Sequence, residues 1–228
     1  MKMNEVEDVV QLRYHELEPH AKEKAQHHYV EHWVGDDWFD YVYEDAKAEA
    51  KDYGFNIDEI NFTGFWSQGD GACWRGDVHL LNFLDAHAVD TIGFSCWRFL
   101  IVEGWVGSKL DITFGGRYSH SNTMSTSLLY DTSVNYFDED GEVDVLESDC
   151  ILQGMPVKAV YDLIHADKDC PIKDYEDFEK WVLDEARQYA DSIYKRLEQA
   201  YEDEINPDNV SEVYDANDVY FNEQGEIL

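Results

Sequence analysis

The chain has 228 residues, 44% of them apolar and 14% aromatic, with 50 Asp and Glu against 17 Lys and Arg, for a formal charge of −33. The apolar share supports a sizeable core, which excludes a disordered acidic tail. The charge excludes direct binding to DNA or RNA, because neutralising phosphates takes clustered Lys and Arg.

Four widely spaced cysteines (Cys73, Cys96, Cys150, Cys170) form no Cys-x-x-Cys pair, so a zinc ribbon is unsupported and free thiols in a reducing cytoplasm are expected. No signal peptide opens the chain and no apolar run approaches spanning length, so no membrane partner is expected.

In chain order, residues 6–17 read as a strand running into a helix start. Pro19 suits a first helical position, and Ala21, Ala25, Tyr29 and Trp33 recur every four residues to about Val34. Gly35-Asp36-Asp37 breaks that helix. A second follows over roughly 38–53, burying Trp38, Val42, Ala46 and either Ala50 or Tyr53, with Gly54 as its terminator. His28 and His32 are spaced to clamp a metal, but the zinc-protease pattern is not met and no third ligand is evident. No metal and no cofactor is expected.

Gly64-Phe-Trp-Ser-Gln-Gly-Asp-Gly-Ala-Cys-Trp-Arg-Gly76 reads as a shaped loop between two strands, with Gly69-Asp70-Gly71 as a tight turn. Its Ser67 lacks the Gly-x-Ser-x-Gly setting of a hydrolase elbow, and no Lys-Ser/Thr follows to make a phosphate loop. An enzyme would need Asp70, Cys73 and His79 to converge. A structural corner is expected first, and a pocket formed by Trp66, Ser67, Gln68, Asp70, Cys73 and Arg75 second.

From Val78 to Phe83 the pattern fits a strand or a short helix. The apolar run 91–105 reads as a buried helix, and strands are expected at about 110–119, 124–136 and 142–148. The acidic turn Asp138-Glu-Asp-Gly141 is a hairpin, since its glycine is misplaced for a calcium loop. A short helix over 157–165 and a linker at 167–171 precede the longest helix, Asp174 to about Glu204. That helix buries Phe178, Val182, Ala186, Tyr189, Ile193, Leu197 and Ala200 or Tyr201. Asn206-Pro207 stops it, and an amphipathic turn (Val210, Val213, Tyr214) and a strand, Asp218–Phe221, close the chain.

The charge is uneven. Between Arg117 and Lys158 there is no base but eight acids, among them Asp138, Glu139, Asp140, Glu142, Asp144 and Glu147. After Arg196 there is again no base but ten acids, among them Glu198, Glu202, Asp203, Glu204, Asp208, Glu212 and Asp215. Helix neighbours at i,i+4 lie about 5–6 Å apart, so rows of such carboxylates could occupy a phosphate track. A merely solvating surface and a salt-rich host are the competing explanations of the charge.

The segments His20–Ala25, Ile60–Cys73, Tyr118–Thr123, Ile193–Tyr201 and Ala216–Phe221 resemble a phage-encoded, uncharacterised family, some members of which carry a loose antitoxin label. The resemblance covers most of the chain, with Gly-Phe-Trp-Ser-Gln-Gly-Asp-Gly-Ala-Cys as its most specific motif. It implies a protein that inhibits another protein in the host cytoplasm.

Together these readings predict one acidic α+β domain over 1–228, with 172–228 as an optional helical appendage. N-terminal helices and a long C-terminal helix accompany a largely antiparallel sheet. The expected function is non-enzymatic: the acidic tracts imitate DNA and block a host defence or nucleic-acid-binding protein. The alternative is a module or antitoxin that holds a small ligand, such as a signalling nucleotide, in the glycine-rich box. Oligomeric state is open, a homodimer being one option.

Overall fold

The computed structural model describes residues 10–35, 37–87, 109–129 and 175–228. The fold is α+β, with N-terminal helices, a four-stranded antiparallel sheet and a long C-terminal helix. The expected elements at 91–105, 142–148 and 157–165, the linker at 167–171 and the acidic hairpin turn all lie outside the described residues. The chain divides into two compact units, residues 1–42 with 196–228, and residues 43–195.

The first unit is helical. Pro19 opens α1 (Pro19–His32) at its first turn, where a missing N–H costs nothing. Ala21, Ala25 and Tyr29 are its buried stripe, and Trp33 is half-buried just beyond it. The chain ends meet here: Leu12 and Phe221 exchange two backbone hydrogen bonds of 2.9 Å. The expected strand at 6–17 reduces to that bridge and a 3-10 turn at Tyr14–Glu16. The expected final strand is likewise only bridges from Phe221 to Leu12 and Ile227.

Residues 207–216 differ more. Asn206-Pro207 ends one helix but also starts another, α5 (Pro207–Ala216), because the Asn206 side chain accepts the Asp208 N–H at 2.9 Å and Pro207 follows at the first helical position. What the apolar spacing suggested as a turn is a ten-residue helix. Small alanines on α1 leave room for rings, so Tyr14, Tyr29, Tyr214 and Phe221 form one core with Leu17 and Val210. Tyr214 is central, with ring centroids 5.6 Å from Tyr29 and 5.0 Å from Phe221. Gly225 lies at φ +77, and a Cβ there would stand 2.3 Å from the Ala21 carbonyl oxygen.

The second unit carries the sheet. Helix α2 (Asp40–Ala50) begins two residues later than expected and buries Val42, Ala46 and Ala50, while Tyr53 stays exposed. Gly54, at φ +78, ends the 3-10 turn Lys51–Tyr53. Its Cβ would meet the Phe83 backbone at 2.2 Å, so only glycine fits. Strands β1 (Phe55–Thr63), β2 (Gly71–His79), β3 (Lys109–Phe114) and β4 (Met124–Leu129) pair in sequence order, all antiparallel. The ambiguous stretch after the box resolves as β2 to His79, then α3 (Leu80–His87). The His79 ring accepts the Asn82 N–H at 3.4 Å across that junction.

The longest helix is α4 (Tyr175–Glu204), and its first turn carries Glu176 and Asp177 where the macrodipole favours acids. Phe178, Val182, Ala186, Tyr189, Ile193, Leu197 and Ala200 are all buried, as the periodicity predicts. Within the sheet unit, Trp74 donates its indole N–H to the Ala186 carbonyl at 3.1 Å, and Tyr189 donates to the Ala46 carbonyl at 2.6 Å. Trp74 is wholly buried, 5.2 Å from the Phe55 ring. No helix among the described residues is long and apolar enough to cross a membrane.

Candidate functional site

The glycine-rich box does not form one loop. The loop covers 64–70 only, and Gly71 to Gly76 belong to β2, the inner strand between β1 and β3. The turn lies over Ser67–Asp70 rather than Gly69–Gly71: Asp70 N–H donates to the Ser67 carbonyl at 3.2 Å, and the Asp70 carboxylate accepts the Ser67 N–H at 2.6 Å. Trp66 takes a left-handed backbone at φ +67, an outlier for a bulky residue, and its side chain is 68% exposed. Phe65 anchors the loop on α4, 5.6 Å from the Tyr194 ring.

Another segment matters to this loop, and composition gave no sign of it. Tyr118 lies over Gly69, whose Cβ would be 3.0 Å from the ring, and His120 lies over Gly71 at 3.1 Å. The box and Tyr118–Thr123, far apart in sequence, are neighbours in space.

The six expected pocket residues occupy three settings. Trp66, Ser67 and Gln68 are exposed at the loop, and Asp70 is committed to the turn. Cys73 is fully buried beside Ser119 and Thr123. Arg75 is exposed and ion-paired with Glu59, its cross-strand partner. Burial pushes the Cys73 thiol up, against a smaller lowering by Thr123 and Ser119, so the reactive thiolate is disfavoured. His79 lies six residues further along β2, about 20 Å away at strand rise, so Cys73 and His79 make no nucleophile pair.

Of the acidic residues, Asp138, Glu139, Asp140, Glu142, Asp144 and Glu147 lie outside the described residues. The carboxyl-terminal set is placed in the helical unit. Asp208, Glu212 and Asp215 recur at i, i+4 and i+7 on α5, all exposed, opposite the buried Val210 and Tyr214. Glu202 and Asp203 are exposed at the end of α4, and Glu198, one turn back, is half-buried.

Two members of that set also have structural duties. Glu204 accepts the Tyr29 hydroxyl at 3.0 Å. Burial and that hydrogen bond push the Tyr29 pKa up to about 12. Asp215 lies 3.7 Å from the Arg13 guanidinium and 3.9 Å from His15. Arg13 itself donates to Asp218 at 3.1 Å and stacks over Tyr220. Glu202, Asp203, Asp208 and Glu212 make up the exposed remainder.

Among the described residues no group of three or more His, Cys, Asp or Glu could hold a metal ion. No curated protein and no solved structure matches the chain. Residues 38–206, which include the whole sheet unit and α4, match the model of a family described as a domain of unknown function. The chain belongs to that family, DUF8835.

Proposed function

We propose that this chain is a phage-type inhibitor whose acidic surface imitates nucleic acid and occupies a host defence or nucleic-acid-binding protein in the host cytoplasm, without catalysis of its own. The observation that supports it is the pair of exposed carboxylates Asp208 and Glu212 on α5, together with Glu202 and Asp203 at the end of α4, in a stretch with no Lys or Arg after Arg196. Solvated helices usually carry compensating bases at i,i+4; this one carries none. Such a set favours a basic partner and speeds its encounter.

The test is capture from bacterial lysate on the immobilised protein, eluted with a salt gradient. A nucleic-acid enzyme that elutes at high salt and is displaced by free duplex DNA supports the reading. The variant E202Q/D203N/D208N/E212Q should then release it at lower salt while staying folded. Binding that ignores both salt and this variant removes the mimicry.

A second reading has its own observation. Trp66 is exposed on a loop held by Asp70, Phe65 and Tyr118, which suits a preorganised contact for a small ligand or a toxin. Trp66→Ala abolishing an otherwise salt-independent interaction would favour it over mimicry.

A further inference from the structure

Two loops at one end of the sheet differ in charge from the rest of the chain. β1 runs into the loop 64–70 and β3 into the segment 115–123, and the antiparallel order brings both to the same end. Tyr118 packs on Gly69 and His120 on Gly71, so the two form one surface. In a chain with 50 acids among 228 residues, residues 60–76 contain one, Asp70, and residues 112–129 contain none. Asp70 is occupied within its own turn, where it accepts the Ser67 N–H at 2.6 Å. Strand composition does not explain the gap, because the other halves of the same strands carry Asp58, Asp77 and Asp111.

This surface is aromatic and weakly basic. Trp66 is 68% exposed and Tyr118 52%, and Gln68, Arg117 and Asn122 are exposed on the same two loops. Trp66 is held there at φ +67, a backbone that persists only where its surroundings enforce it. Phe65 on Tyr194 and Tyr118 over Gly69 supply that support. A protruding indole does not enclose a small molecule, which needs a concavity. Exposed Trp, Tyr and Arg with acids thinned out are instead the composition of a protein interface.

Charge narrows the choice of protein. Two copies of a chain at −33 repel each other wherever their acids face. An end from which acids are missing removes that obstacle. We propose that this end is a self-association surface, through which two copies of the chain pair about a two-fold axis with their Trp66 and Tyr118 loops in contact. Arg117 of each copy supplies a cation for the aromatic faces of the other. The pairing is independent of nucleic-acid mimicry and competes with any small ligand for Trp66.

The test is sedimentation velocity of the untagged full-length protein over a range of concentrations, in low and in high NaCl. A monomer–dimer equilibrium is expected that shifts toward dimer as salt rises, because salt screens the repulsion of the remaining acids. Contacts between acids and a basic surface weaken with salt instead. Trp66→Gly removes the ring, suits the left-handed backbone, and should raise the dimer dissociation constant about tenfold or more. Arg117→Glu, at an exposed position, places an acid at this end and should do the same whether or not Trp66→Gly folds. Tyr41→Ala removes another exposed ring, outside these loops, and should leave the constant within about twofold of wild type. A protein that stays monomeric at every salt and concentration, or a dimer that salt weakens, overturns the pairing. So does a dimer undiminished in Arg117→Glu, or one lost equally in Tyr41→Ala.

Discussion

The two units bury their interiors by different means. The helical unit is small and built on tyrosine: its rings fill the space that alanines leave, and two of the hydroxyls find fixed oxygens, Tyr29 on Glu204 and Tyr214 on Ala25. The sheet unit relies mainly on apolar rings and aliphatic side chains, with polar tips supplied by Trp74 to the Ala186 carbonyl of α4 and by Tyr189 to the Ala46 carbonyl. A small unit that closes both chain ends has little volume to fill. Amphipathic rings give it buried area while their hydroxyls keep hydrogen-bond partners. The family match covers the sheet unit entire, runs into the helical unit at both ends (38–42 and 196–206), and stops before α5. The exposed acids of α5 thus lie outside the matched residues.

The largest test of this contrast is Trp74→Ala. It empties a fully buried indole site and removes the hydrogen bond to the Ala186 carbonyl, so about 3–5 kcal/mol of stability should be lost. Urea unfolding followed by hydrogen exchange would read it. Loss of amide protection in β1–β3 with protection retained in α1 and α5 would sharpen the division into two units. Equal loss in both would break it.

Gly225→Ala probes the helical unit alone. The left-handed backbone and the 2.3 Å approach to the Ala21 carbonyl forbid a side chain, and about 1–3 kcal/mol should be lost. The loss should appear as faster exchange around Leu12 and Phe221, where the chain ends pair.

The smallest expected effect is a pH dependence confined to the sheet unit. His87 sits 4.2 Å from the Phe83 ring and near Trp181 and Phe55. Burial holds its pKa below the ordinary value, while Glu185 and the Tyr53 backbone pull the other way less strongly. The unfolded chain therefore takes up the proton first as pH drops. The contribution is fully present above about pH 6.5 and is lost as pH falls through the lowered folded value. Urea midpoints between pH 8 and pH 5 should fall for the wild type and stay flatter for His87→Gln, a difference that buried carboxylates would not show.

Helices with clear periodicity were legible before any coordinates. The α4 stripe from Phe178 to Ala200 and the Ala21, Ala25, Tyr29 stripe of α1 needed only spacing; Pro19 marked the start of α1, and Gly54 the end of the turn that follows α2. Where local signals served two purposes they misled. Asn206-Pro207 stops one helix and caps the next, so α5 read as a turn. Gly71 and Gly76 look like loop residues, yet they sit in β2 because the Tyr118–Thr123 segment and β1 approach the strand too closely for a Cβ.

The candidate sites divide the same way. The amino-acid sequence by itself determined the charge, the base-free tail after Arg196, and the amphipathic stripes, because these depend on residue identity and a fixed helical period. Tertiary structure alone decided which acids are free and which are tied, as Glu204 is to Tyr29. It also decided that Cys73 is sealed while Trp66 is offered to solvent. Each of those is set by a partner distant along the chain, brought near only when the core closes.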